Sequence, residues 1–337
     1  MAVGILSTGM YIPDTYFDAE QLAEMTGLPV EVVRTKLGIN RIPVPGRDDH
    51  TAAMGIRAAR EAIRKAGIDP KEIDLIIYIG EEHKEYPLWT AAIKMQEELG
   101  AHHAWGFDAA MRCGTTIMAM KVATALMETD PDIRTVLLAG GYRNGDFIDY
   151  RNERTRFMFN LAAGGGAMIL RKDLGRNTVL QGEIITDGSF SEDVVVPVGG
   201  TMQPLTEESL RDGLYRLDVL DPEGMKMRLE QRSMENFLKV IRGSLAKSGY
   251  TDADIDYLGI LHMKRSAHDY VLGQLGLSEE QSVYLDDYGH IGQFDQILSL
   301  ELAEQQGRLK DGDVAVLVSA GIGYAWGAMT VRWGPER

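Results

Sequence analysis

The sequence predicts a layered α/β fold made of two similar halves, and three observations lead there. Helix-like and strand-like stretches alternate along all 337 residues. No Pro/Gly/Ser-rich linker divides the chain, so the layers belong to one fused core rather than to beads on a string. The third is an internal repeat: residues 65–77 return at 247–259, with Lys65, Gly67, Ile73 and Asp74 matched by Lys247, Gly249, Ile255 and Asp256. A period that long excludes a solenoid and points to duplication. The expected halves are 1–172 and 173–337, with a site where they meet.

Each element follows from its local pattern. His50 to Gly67 reads as an amphipathic helix, because Ala52, Ile56, Ala59 and Ile63 recur at helical spacing and Gly67 ends the run. Asp74 to Ile79 is a short apolar run suited to a strand covered on both faces. Gly114 to Met127 is the next helix, and Arg134 to Gly141 the next buried strand. Strand patterns continue at 163–170 and 179–185. In the second half the repeat at 247–259 with its strand running on to His262, a helix at 296–306 and an apolar strand at 314–321 follow the order of the first.

Composition narrows the function. With 35 basic and 50 acidic residues the net charge is −15, which repels phosphate backbones and argues against nucleic acid as a partner. No apolar stretch is long enough to span a bilayer, and the first residues lack the charged and apolar regions of a secretion signal, so no membrane role is expected. A single cysteine, Cys113, rules out an intrachain disulfide, and no His/Cys/Asp/Glu grouping has metal-ligand spacing. The expectation is a soluble, cytoplasmic protein without a bound metal.

Three residues could carry chemistry. Cys113 stands directly before an apolar helix, where the dipole and unpaired backbone amides favour a thiolate. His262 falls at the C-terminal end of the second half's first strand, where open α/β sheets bind ligands. His290 sits in the loop entering the second half's central helix, the place Cys113 holds in the first half. Alone, each has a bland alternative: a small buried thiol, a strand-capping imidazole, a polar loop residue. Their joint placement at loop ends facing one cleft is the stronger argument. The glycine runs Gly164-Gly165-Gly166 and Gly321-Ile322-Gly323 lack the dinucleotide order of strand, turn and helix, so close packing or oxyanion donation explains them better.

These residues resemble the thiolase superfamily, and within it the β-ketoacyl-ACP synthase III type. The likeness rests on Gly9-Met10-Tyr11-Ile12-Pro13, Lys36 to Arg41, the nucleophile region Asp108 to Cys113, Asn160 to Ala167, and the closing Gly321 to Trp333. It implies a five-layered αβαβα sandwich of two duplicated halves, usually a homodimer. It also implies an acyl-thioester condensing enzyme using CoA or acyl-carrier-protein thioesters, with no permanently bound cofactor. By this resemblance Cys113 is the acylated nucleophile and His262 the catalytic histidine. His290 stands where the synthase III type has asparagine, giving a set similar to the elongating synthases, in which two histidines donate to the thioester carbonyl. Backbone amides of Cys113 and Ile322 would form the oxyanion hole. Lys36 replaces the family's phosphate-side arginine, and Lys36, Arg154 and Arg265 are the candidate CoA-binding cations. Met111, Met118, Met120, Phe157 and Phe159 are candidates for an acyl tunnel or for ordinary core.

The expected reaction is acyl transfer to Cys113 and then decarboxylative Claisen condensation. A second likeness competes. Gly80-Glu81-Glu82-His83 is similar to a stretch of hydroxymethylglutaryl-CoA synthases, which would make Glu82 the general base of a non-decarboxylating condensation or an acyl transfer. A further alternative is a non-catalytic subunit paired with an active homologue.

Overall fold

A computed structural model describes residues 2–336. Nine strands form its main sheet: β1 (Val3–Tyr11), β2 (Leu75–Tyr78), β3 (Trp105–Asp108), β4 (Thr135–Tyr142), β5 (Gly164–Lys172), β6 (Arg176–Thr186), β7 (Tyr257–Ile260), β8 (Val314–Gly321) and β9 (Ala325–Pro335). Six helices cover and fill it: α1 (Thr51–Ala66), α2 (Ala91–Leu99), α3 (Thr115–Thr129), α4 (Pro222–Lys247), α5 (Arg265–Leu275) and α6 (Asp295–Gln305).

The duplication is visible in strand order. The sheet runs β7-β8-β9-β6-β1-β5-β4-β2-β3. Counted outward from the middle, β1-β5-β4-β2 repeats as β6-β9-β8-β7, each set pairing antiparallel, antiparallel, then parallel. The two sets meet only where Val3 and Gly4 face Val179 and Thr178. Helices α1 and α2 pack on the outer face of the first set, α4 on that of the second, and α3 and α6 touch strands of both. The apolar core divides accordingly into two outer clusters and a central one around α3 and α6. These are the five layers of a thiolase-like sandwich.

The repeated residues have matching jobs. Gly67 and Gly249, both with positive φ, stop α1 and α4. Buried Ile73 and Ile255 then anchor the chain. Asp74 Oδ2 accepts from the Arg134 and Thr135 amides at 2.8 Å, and Asp256 Oδ2 accepts from the Val314 amide at 2.8 Å. Each aspartate thus ties the start of its strand to the neighbouring strand, which is why the type recurs.

Glycines set how closely the layers approach. A Cβ on Gly165 would lie 2.3 Å from the Met54 carbonyl oxygen of α1, and one on Gly166 would meet the Phe294 ring at 2.5 Å. Close packing therefore accounts for the Gly164–Gly166 run. Helix α4, 26 residues long, has no counterpart in the sequence reading. Its buried apolar residues are Met225, Phe237, Val240, Ile241 and Leu245, with Leu229, Met234 and Leu238 half-buried against the same cluster.

Candidate active site

Four chain segments converge on one cavity of about 940 Å³, lined by Cys113, His262, His290, Ile322 and the surrounding walls. Cys113 occupies a short turn, Arg112–Gly114, that feeds α3. Arg112 is forced into the left-handed region at φ 49°, an uncommon conformation for a residue with a side chain and one that clusters at functional sites. The turn is pinned from behind, since Ser319 Oγ of β8 donates to the Cys113 carbonyl at 2.6 Å.

His290 reaches the sulfur directly. Its Nε2 lies 3.1 Å from Cys113 Sγ, and its Nδ1 lies 2.6 Å from Asp295 Oδ2. Asp295 is fully buried at the first position of α6 and accepts two further bonds, from the Ile291 amide at 2.7 Å and the His262 amide at 2.8 Å. A carboxylate so bound is fixed in direction. Burial works against charge on His290, but Asp295 and the sulfur outweigh it and raise its pKa well above the usual histidine value. The loop is positioned by the strand entrance opposite: the His290 amide donates to the Asn160 carbonyl at 2.8 Å, and the Ala162 amide to the His290 carbonyl at 2.9 Å.

His262 is turned to other partners. Its Nε2 lies 2.9 Å from the Gly38 carbonyl oxygen, which only accepts, so that nitrogen carries the proton. Its Nδ1 is therefore bare and accepts from Asn160 Nδ2 at 2.8 Å. Burial above all lowers its pKa to about 4, with His290 adding to the shift, so the ring is neutral at physiological pH. The expectation of two histidines donating side by side is thus corrected: in this geometry both His262 nitrogens are spent, and only His290 addresses the sulfur.

The other expected positions fare unevenly. Glu82 borders the cavity, but its side chain is 64% exposed and bonds Arg112 Nη2 at 2.5 Å, whereas its neighbour Glu81 is buried and bonds Arg112 Nη1 at 3.1 Å. The Cys113 amide is the second of its turn, where an N–H has no helical partner, and a Cβ on Gly321 would come within 3.0 Å of that nitrogen. Backbone of the 321–323 turn therefore closes on Cys113. Lys36, Arg154 and Arg265 are absent from the cavity wall; Arg154 pairs with Asp218 at 2.5 Å, and Arg265 with Asp269 and Glu279 at 3.0 and 2.9 Å. Lys264, beside His262, does line the cavity. Of the tunnel candidates only Phe157 lines it, while Met120 and Phe159 are core.

Asp295 and Asn160 are the functional-looking residues that sequence reasoning passed over. Asp295 had a signal, a carboxylate five residues after His290 at the start of a helix; Asn160 had none beyond its place before the glycine run. The position structurally matched to Cys113 is Gln293 rather than His290, since both sit mid-turn two residues ahead of a central helix. Gln293 Nε2 donates to the Ile79 carbonyl at 2.6 Å, a packing role. Among the described residues no group of three or more metal-ligating side chains is present.

A buried thiol, a carboxylate-backed imidazole and a close backbone turn share a large cavity in a fold of the thiolase-like class. Comparisons make this specific. Residues 107–188 match the family model for 3-oxoacyl-[acyl-carrier-protein] synthase III, and 245–333 match the model for its C-terminal part. The β-ketoacyl-[acyl-carrier-protein] synthase III of Symbiobacterium thermophilum is 30% identical over 98% of both chains. The synthase III structure from Thermus thermophilus superimposes with a TM-score of 0.84 at 24% identity, over 98% of this chain and 99% of that one. The priming β-ketosynthase of the R1128 polyketide biosynthetic pathway does so with a TM-score of 0.83 at 21% identity, over 100% and 97%. The chain belongs to the β-ketoacyl-ACP synthase III family and is an acyl-thioester condensing enzyme.

Proposed function

We propose that Cys113 accepts the acyl group of a CoA or acyl-carrier-protein thioester and passes it to the α-carbon of a second thioester that loses CO₂. The observation that carries this reading is the chain Cys113–His290–Asp295, linked at 3.1 and 2.6 Å. His290 Nε2 takes the thiol proton, the sulfur attacks the thioester carbonyl, and the carbon–sulfur bond to the carrier breaks. The departing thiolate then takes the proton from His290. Asp295 holds the ring and stabilises the imidazolium. In the second stage the carboxylate of a malonyl-type thioester leaves as CO₂. The backbone N–H groups at Cys113 and residues 321–323 offer donors to the charged oxygens. The new carbon–carbon bond releases Cys113. His262, neutral and tied to Gly38 and Asn160, positions the site.

A second reading is favoured by the same carboxylate-backed imidazole: transfer of the acyl group to a hydroxyl, amine or thiol, with His290 as the base. Glu82 suits a base poorly, being exposed and paired with Arg112. Incubation with a malonyl thioester separates the two readings. CO₂ release coupled to a 3-oxoacyl product supports condensation; acyl transfer without CO₂ release supports the alternative.

Two further parts belong to the proposal. Lys264 on the cavity wall and Lys36 beside Leu37, which lines it, supply positive charge for the phosphates of the carrier. A homodimer is supported by the sheet edge. Strand β3 ends the sheet and presents Trp105 at 51% exposure. An apolar open edge is a template for pairing with a second copy. No helix among the described residues is long and apolar enough to cross a membrane; the lone cysteine fits a reducing cytoplasm.

A further inference from the structure

We propose that the Tyr142 hydroxyl is a catalytic hydrogen-bond donor, directed at the carbonyl oxygen of the second thioester as its α-carbon loses CO₂. The inference rests on the reading of this cavity as a condensing site and adds a residue to it.

Duplication puts a phenol there. Strands β4 and β8 are counterparts, and Leu75 pairs with Val136 as Tyr257 pairs with Ala315, so Tyr142 ends β4 where Gly321 ends β8. The turns they face, Arg112–Gly114 and Gly292–Phe294, are counterparts too. Bulk is traded between the two contacts. Gly321 leaves room for Arg112 and Cys113, whereas Gly292 leaves room for the Tyr142 ring: a Cβ on Gly292 would lie 2.3 Å from Cδ2 and 2.4 Å from Cε2 of that ring. Held at this edge, the Tyr142 ring has its centroid 6.0 Å from that of His290 and is inclined to it by 55°. Tyr142 is 2% exposed, yet it lines the cavity together with Cys113 and His290.

Its hydroxyl has no acceptor among the described residues. Buried phenols ordinarily find one, because a hydrogen bond left unmade away from water is costly. Tyr78 donates to the Glu81 carbonyl at 3.1 Å, and Tyr257 to the Ser299 carbonyl at 3.0 Å. Burial first, then Cys113, Glu81 and Asp295, hold the pKa of Tyr142 well above the usual phenol value. The proton therefore stays on the oxygen, and the group is a neutral donor rather than a base.

Condensation has a use for such a donor. When CO₂ leaves, the electron pair of the broken carbon–carbon bond passes to the α-carbon and onto the thioester oxygen, which becomes enolate-like. The pair then attacks the acyl-cysteine carbonyl carbon. The bond to Cys113 breaks, and its sulfur keeps the electrons and takes a proton from solvent. Both His262 nitrogens are spent on Gly38 and Asn160, and His290 Nε2 is bare once it has given its proton to the departing thiolate. The backbone N–H groups at Cys113 and 321–323 face the acyl-cysteine oxygen. Tyr142 enters from the other strand end, on the His290 side, and supplies the enolate oxygen with a fixed donor in a buried site.

The test compares wild type with Tyr142→Phe, loading Cys113 from a panel of acyl-CoAs and then adding malonyl-CoA or malonyl-acyl-carrier-protein. Rapid-quench mass measurement gives the acylation rate, and CO₂ with 3-oxoacyl product gives the condensation rate. The expected result is acylation within about threefold of wild type and condensation slower by about 10²-fold, the usual worth of one preorganised donor. The variant should melt at or above the wild-type temperature, since no protein acceptor loses its partner. Condensation at an undiminished rate would overturn the inference. So would an equal fall in acylation, which would make Tyr142 a support for His290, or a lower melting temperature, which would give the hydroxyl a structural partner. A wild type that acylates but releases no CO₂ from either malonyl thioester would remove the condensing reading, and the donor with it.

Discussion

Asp295 does more for this site than any other side chain whose role is indirect. Its two oxygens collect the Ile291 amide, the His262 amide and His290 Nδ1, all while fully buried. Asp295→Asn keeps the volume but weakens the hold on the imidazolium and its tautomer. The expected outcome is a fall in kcat of about 10²–10⁴, the usual worth of a positioned acid–base group, with a much smaller change in KM. Steady-state kinetics checks this. Asp295→Ala additionally leaves three buried donors without a partner, at about 1–3 kcal/mol each, and should lower the melting temperature where Asn does not. His290 was legible in the sequence as a histidine in the right loop. Its partner was not, because nothing in a one-dimensional pattern shows which carboxylate two amides and a ring nitrogen will share. His262 was legible as a site residue and misleading as a donor. The carbonyl of Gly38, 224 positions away in sequence, decides its tautomer.

At the scale of elements, the loops entering α3 and α6 fix the distance between sulfur and imidazole. Gly292, at φ 59°, opens the turn before α6, and a Cβ there would lie 2.3 Å from the Tyr142 ring. Gly292→Ala combines backbone strain with a clash against a buried aromatic. It is expected to cost about 1–3 kcal/mol of stability and to displace His290 from Cys113. Denaturant melts and the acylation rate report the two effects separately. The regular elements were readable: the expected helix 50–67 is α1 within a residue at each end, and the strand 314–321 coincides with β8. Those segments carry strong periodicity or a continuous apolar run. Helix α4 escaped because its core-facing residues, Met225, Leu229, Phe237 and Ile241, are interspersed with many charged side chains, and tertiary packing holds it. Of the expected cations, Arg154 and Arg265 turn to carboxylates instead of the cavity for a related reason. Charge alone does not say whether an arginine faces a cavity or an aspartate on the neighbouring loop.

For the molecule as a whole, acid sensitivity follows from two buried imidazoles. Burial lowers both His262 and His268 to about 4. A histidine whose folded pKa lies below its unfolded value near 6.5 is protonated first in the unfolded chain. Its stabilising contribution is complete above about pH 6.5 and is lost as pH falls toward 4. His290 has the opposite sign: its raised pKa adds stability at acid pH that fades as pH rises through its folded value. Between pH 6.5 and 4 it is charged in the folded state and does not offset the loss. The melting temperature should therefore fall over that window, and His268→Leu should flatten the fall without touching the cavity's reacting groups. Duplication was also legible at this scale, since four identities at a fixed offset mark the same helix stop, anchor and strand clamp in each half. The pairing of whole molecules was expected only from resemblance. Sedimentation should give the mass of two chains for wild type and of one for Trp105→Glu, if β3 is the seam.

The central claim is that one sulfur and one carboxylate-backed imidazole perform the acyl transfer. Rapid-quench mass spectrometry of the acylated peptide tests it most directly, comparing wild type, Cys113→Ala, His290→Ala and His262→Gln. The predicted result is a single adduct on the Cys113 peptide, absent in Cys113→Ala and formed at least a hundredfold more slowly in His290→Ala. In His262→Gln it should form within about tenfold of the wild-type rate, because that ring positions and does not transfer the proton. An adduct that survives loss of Cys113, or a rate that collapses with His262 and not with His290, would contradict the account.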